Sequence, residues 1–166
     1  DVYVLISSPG GSLWDGLAIH DMLKMYNSGN VTTKIIGATA SAAAVIALGG
    51  NSVEMSDNAL LLFHKASMFA AGNSDDLKKT ADDLEVHDSR IANIMAKKSG
   101  KRASQALSLM EEERWMTASE AKEWGLVDKI FKGESVKNQI EKINNSNIYP
   151  KILNTMPEHV NDSLFE

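Results

Sequence analysis

A chain of 166 residues with 43% hydrophobic and 6% aromatic side chains has the size and stock of apolar groups for one ordinary globular domain. Its 17 basic and 22 acidic residues leave a net charge of −5 with no basic patch, which excludes the electrostatic footprint of a nucleic-acid binder. The absence of cysteine excludes disulfides and thiolate metal sites and fits a cytoplasmic setting, while the longest apolar run, Ala42 to Leu48, is too short to span a membrane.

No signal-peptide pattern opens the chain. It begins almost at once with Val2 to Ser7, an apolar and β-branched run that predicts a buried strand. A domain that opens inside a strand is expected to have lost preceding residues. Ser8-Pro9-Gly10-Gly11 breaks the strand, and Ser12 is a plausible N-cap for a helix that reaches Asn27 and ends by Gly29. Val31 to Ile36 predicts a second strand, closed by Gly37. The alanine-rich segment Ser41 to Leu48, followed by Gly49-Gly50, predicts a buried helix.

Leu60 to Phe63 predicts another strand, with His64 at its end and a loop over residues 67–72. Ser74 to Lys98 predicts one long helix with Leu77, Leu84, Ile91 and Met95 along a stripe. A short helix follows from Ala103 to Met110. Thr117 and Glu120 have capping-box spacing, predicting a helix to Trp124 that Gly125 ends, and Leu126 to Ile130 predicts a last strand. These elements define a domain over residues 1–132. The polar remainder, 133–166, predicts a short helix and a loosely held tail. Strands alternating with helices imply an α/β fold with parallel pairing.

Three strand ends carry unusual sequence, and in open α/β sheets sites form beyond the carboxyl ends of strands. Ser41 follows a strand and a glycine at the start of a helix, where backbone N–H groups are unpaired. It can be a nucleophile, with the Ala42 N–H stabilising an oxyanion, or simply a helix cap. Gly10-Gly11 can bring backbone close to a ligand and supply a second N–H, or can only make a tight turn. His64 alone among the four histidines directly follows a strand; it can be a general base or a structural histidine. Glu111-Glu112-Glu113 offers carboxylates to orient that imidazole, or is a solvated charge run.

Taken together, Ser8-Pro9-Gly10-Gly11-Ser12, Gly37-x-x-Ala40-Ser41-x-x-Ala44, His64, and the run from Arg114-Trp115-Met116-Thr117-Ala118 to Gly125-Leu126-Val127-Asp128 resemble the Clp protease proteolytic subunit, from residue 1 to about Ile130. The resemblance implies an αβ-superhelix like the crotonase fold, with its N-terminal part missing here. It makes Ser41 the nucleophile, His64 the base, and Gly11 and Ala42 the oxyanion donors. Its acid falls on Glu113, where the family more often has aspartate.

The family's Met-Gly after the nucleophile is Ala42-Ala43 here, and Lys65-Ala66-Ser67 replaces its usual run after the histidine. These departures and the Trp115 motif resemble the phage-encoded branch similar to head-maturation proteases. The resemblance further implies stacked rings of seven, with the long helix between rings, peptide or protein substrates, and an unfoldase ATPase or capsid proteins as partners. It implies no metal and no cofactor, no nucleic acid and no membrane. Rival readings are a signal-peptide-peptidase-like serine–lysine enzyme using Lys34 or Lys65, a non-catalytic assembly protein on the same fold, and a crotonase-type acyl-CoA enzyme.

Overall fold

The computed structural model describes residues 1–132, which form one compact unit. The expected tail helix lies outside the described residues. The elements in chain order are β1 (Val2–Ser8), α1 (Leu13–Met25), β2 (Val31–Ala40), α2 (Ala42–Ala47), β3 (Ser52–Ser56), β4 (Leu60–Leu62), α3 (Ser74–Ser99), α4 (Ala103–Glu112), β5 (Met116–Thr117), α5 (Ala118–Trp124) and β6 (Lys129–Phe131). This is the mixed α/β architecture that the sequence predicts, and it is consistent with the Clp protease fold.

Strand β2 organises the sheet. One edge pairs in parallel with β1, from Val2 opposite Val31 to Ile6 opposite Ile35. The register then jumps, and Ser8 falls opposite Thr39. The other edge of β2 pairs with β3 over Thr32–Ile35 and with β4 over Ala38–Ala40. Gly37, with φ of 58°, sits at the changeover. The sequence predicts that Gly37 ends the strand. Instead it bends the strand, because the residues beyond it gain a fresh partner in β4.

Strand β3 was not predicted. Its alternation hides in a polar stretch, yet Val53 and Met55 are fully buried. The last strand begins at Lys129 rather than Leu126. Gly125 caps α5 in left-handed geometry, and the Leu126 N–H still donates to the Ala121 carbonyl. Asp128 then ties β3 to β6: its carboxylate accepts the Val53 N–H at 2.7 Å and the Lys98 ammonium at 2.5 Å.

The core lies between the sheet and α2, with α5, α4 and the second half of α3 closing it. Helix α2 is almost wholly buried, which its alanines permit: α1 crosses so close that a methyl group on Gly16 would lie 2.9 Å from the Ala42 Cβ. Helix α3 is well capped, by Asn73 with a capping box to Asp76 and by Gly100 at its end. Only its second half joins the core. Ile91 and Met95 are buried, Leu84 is half-buried, and Leu77 is 45% exposed, so the stripe read from the sequence runs out into solvent.

Candidate active site

The three strand ends converge. A cleft of about 290 Å³ is lined by Gly11, Ser41, Ala42 and His64, together with an apolar wall that includes Phe63 and Ile91. Ser41 connects β2 to α2, and it departs from ordinary backbone geometry with φ of 58° and ψ of −131°. Among the described residues only Ser41 and Glu113 are non-glycine residues with positive φ. Such a conformation costs about 1–3 kcal/mol and persists only where surrounding structure holds it. Here the Ser41 N–H donates to the Leu62 carbonyl at 3.1 Å, while its own carbonyl accepts from Ala44 and Val45. The backbone is pinned on both sides, and the side chain is left over.

That side chain bears on the two readings of Ser41. It occupies the N-cap position of α2 but makes no capping hydrogen bond. A serine hydroxyl that caps nothing, on a strained strand-to-helix turn facing a cleft, has the arrangement of a nucleophile elbow. The Ala42 N–H begins the helix beside it. Gly10 packs directly against this turn, and the space around the Gly11 Cα is open. Gly10 therefore provides the close approach, a role the sequence reading did not separate from that of Gly11.

His64 follows β4. Its Nδ1 lies 2.6 Å from the Lys65 carbonyl oxygen. A carbonyl can only accept, so Nδ1 carries a proton, and in the neutral ring the lone pair is then on Nε2. This is the tautomer that a general base requires.

Glu113 is not in the cleft. It caps α4 in left-handed geometry, exposed and without a hydrogen bond to His64. Its position along the chain is nevertheless informative. β5 runs antiparallel to β4, with Leu60 opposite Thr117 and Leu61 opposite Met116. The ladder ends before either residue: β4 stops at Leu62 and β5 starts at Met116, so His64 and Glu113 each lie a few residues beyond the same end of the pair. The neighbouring carboxylates are already engaged: Glu111 accepts from the Lys65 ammonium at 2.6 Å, and Glu112 from the Arg114 guanidinium at 2.7 Å.

Residues 1–134 match the profile of the Clp protease family. The chain belongs to the Clp protease family. A relative named ATP-dependent Clp protease proteolytic subunit, from Bacteroides fragilis, is 31% identical over 133 residues, covering 79% of this chain and 64% of its own length. ATP-dependent Clp protease proteolytic subunit 3 of Streptomyces avermitilis is 34% identical over the same span, covering 60% of that protein, and subunit 1 of Streptomyces coelicolor is 33% identical. The chain thus spans about three-fifths of the length of these relatives.

Both lysines considered for a serine–lysine dyad are committed elsewhere. Lys34 pairs with Glu54 at 3.2 Å, and neither Lys34 nor Lys65 lines the cleft. The hydrogen bond that Lys65 donates to Glu111 raises the Lys65 pKa above its ordinary value, which opposes the neutral form a lysine base needs. Among the described residues no acidic, histidine or cysteine cluster could hold a metal ion, and no helix is long and apolar enough to cross a membrane.

Three residues near the site are not singled out by the sequence. His87 and Trp14 both line the cleft, their rings edge to face with centroids 4.7 Å apart. Asp88 is buried beneath the His64 loop. A signal for it was available: Leu84, Asp88, Ile91 and Met95 follow helical spacing, so a charge stands on an apolar stripe.

Proposed function

We propose that the chain is a serine endopeptidase working by acyl-enzyme chemistry. Ser41 Oγ attacks the scissile carbonyl as His64 Nε2 takes its proton. The Gly11 and Ala42 N–H groups stabilise the oxyanion, His64 returns the proton to the leaving amine, and water releases the acyl group. Glu113 is the carboxylate that stabilises the imidazolium, a role supported by family position and by its place just before β5, the strand that pairs with the one leading to His64.

The observation that carries this reading is Ser41 itself, strained, uncapped, and sharing one cleft with a histidine whose neutral ring has its lone pair on Nε2. A fluorophosphonate probe tests it. Labelling should map to Ser41 and vanish in Ser41→Ala; labelling at Ser12 or Ser67 would reject it, and an unlabelled protein would favour a non-catalytic assembly role.

The natural setting we infer is a homo-oligomeric chamber of sevenfold rings acting on protein substrates, fed by an unfoldase ATPase or enclosing phage capsid proteins. Support comes from family membership and from the half of α3 that leaves the core with Leu77 and Val86 exposed. Light scattering should then give a mass many times the 18.1 kDa of one chain. The altered loop after His64 and the Trp115 motif favour the phage-encoded branch, and a portal or capsid gene beside this one would settle it.

A further inference from the structure

The loop after the general base is held from below by a buried carboxylate. Asp88, on the apolar stripe of α3, is only 8% exposed. Withdrawing a carboxylate from water is costly unless hydrogen bonds compensate. Among the described residues Asp88 forms no ion pair, and its Oδ1 instead accepts the Ala66 N–H at 2.7 Å. The nearby Lys65 ammonium adds a favourable charge at longer range.

What matters is which peptide group this is. The Ala66 N–H and the Lys65 carbonyl belong to one planar unit. Its N–H is held by Asp88, and its C=O accepts the proton on His64 Nδ1. Because the unit is planar, fixing the direction of the N–H also fixes the direction of the carbonyl. A charged acceptor on the N–H also polarises the amide and makes its oxygen a better acceptor. We propose that Asp88 is a positioning residue for the general base, acting through the Lys65–Ala66 peptide to set the tautomer and orientation of His64. Its catalytic consequence rests on the peptidase reading; its effect on the imidazole does not.

An Asp88 that merely docked the loop onto α3 would alter stability and leave the imidazole tautomer alone. Nitrogen-detected NMR of the His64 ring separates the two roles. The parent protein should show the proton on Nδ1. In Asp88→Ala that proton should redistribute toward Nε2, and the rate of fluorophosphonate labelling at Ser41 should fall on the order of 10²-fold, as for a misplaced catalytic group. Asp88→Asn keeps an oxygen for the Ala66 N–H and should restore the tautomer and most of the rate. If the alanine variant does not fold, the asparagine variant carries the test: with the charge gone, the Nδ1-bound proton should resonate upfield of its position in the parent. An unchanged tautomer in Asp88→Ala, or an unmoved proton in Asp88→Asn, overturns the proposal. A tautomer that shifts in a protein whose parent never labels overturns the peptidase reading and leaves the role of Asp88 standing.

Discussion

Gly10 and Ser41 are packed so tightly that a methyl group on the glycine would lie 2.5 Å from the serine Cβ and 2.8 Å from the Ala40 carbonyl oxygen. Gly10 also has φ of 108°. Gly10→Ala therefore cannot be absorbed by a side-chain shift; the loop must withdraw from the Ser41 turn. We expect a stability loss of about 1–3 kcal/mol together with loss of most peptide hydrolysis. Gly11→Ala meets no atom within 4 Å and carries only the strain of its own φ of 153°. Denaturant melts and turnover of both variants should rank Gly10→Ala as the more damaging; equal effects would mean that the close approach is unimportant.

The strain at Ser41 gives a second prediction. Glycine adopts positive φ freely, so Ser41→Gly should abolish hydrolysis and yet raise stability by about 1 kcal/mol. Ser41→Ala should also be inactive, with turnover down by about 10⁴-fold or more, but should keep the strain. Chemical denaturation of the pair would detect the difference. A glycine variant less stable than the alanine variant would show that the turn is not strained.

Glu113→Gln removes a charge and little else. The corresponding amide change in an aspartate triad lowers turnover by about 10⁴-fold, and a loss of roughly 10² to 10⁴ is expected here. Glu111→Gln and Glu112→Gln should stay within a few-fold of the parent, because both carboxylates sit in exposed ion pairs. Turnover of the three variants on one peptide decides the matter. Full activity in all three would mean that the Lys65 carbonyl alone orients His64.

Glu120 predicts a pH dependence. The Thr117 backbone N–H and hydroxyl, followed by Arg114, hold its carboxyl below the ordinary glutamate value. A carboxyl lowered on folding contributes stability that is present above its unfolded pKa and is lost as pH falls through the folded one. The melting temperature of the parent should exceed that of Glu120→Gln near neutral pH, and the gap should close on acidification. A gap that widens in acid would reverse the sign and reject this account. Thr117→Ala, which removes the cap itself, should cost about 1 kcal/mol near neutral pH, and less in acid, because the hydroxyl's bond to the Glu120 carboxylate is lost with it.

The elements that sequence reading located are those written in local chemistry. Ser12 caps α1 by accepting the Asp15 N–H, Thr117 and Glu120 form their box, and Gly125 ends α5 as a left-handed cap. Each is a contact among neighbours a few residues apart. What escaped depended on distant partners. β3 is a strand because β2 lies on one side and β6 on the other, and its own residues barely announce it. β2 passes through Gly37 because β4 is waiting. At the site, the residue types at 41 and 64 were legible, but the free hydroxyl of Ser41 and the carbonyl partner of His64 belong to three-dimensional geometry. Asp88 reads as one more helix charge until the loop above it is in place.

The bend at Gly37 divides β2 into two lengths with different security. Thr32–Ile35 is paired along its length with both β1 and β3, whereas Ala38–Ala40 pairs with β4, a strand of three residues, and meets β1 only where Thr39 faces Ser8. Amide exchange should therefore be slow in the first length and faster in the second, because local opening needs to break only a short ladder. The Ser41 turn hangs from that second length. That turn is therefore expected to open before the remainder of the sheet, and a thermal scan that follows bulk secondary structure would overstate the temperature at which the cleft is still assembled.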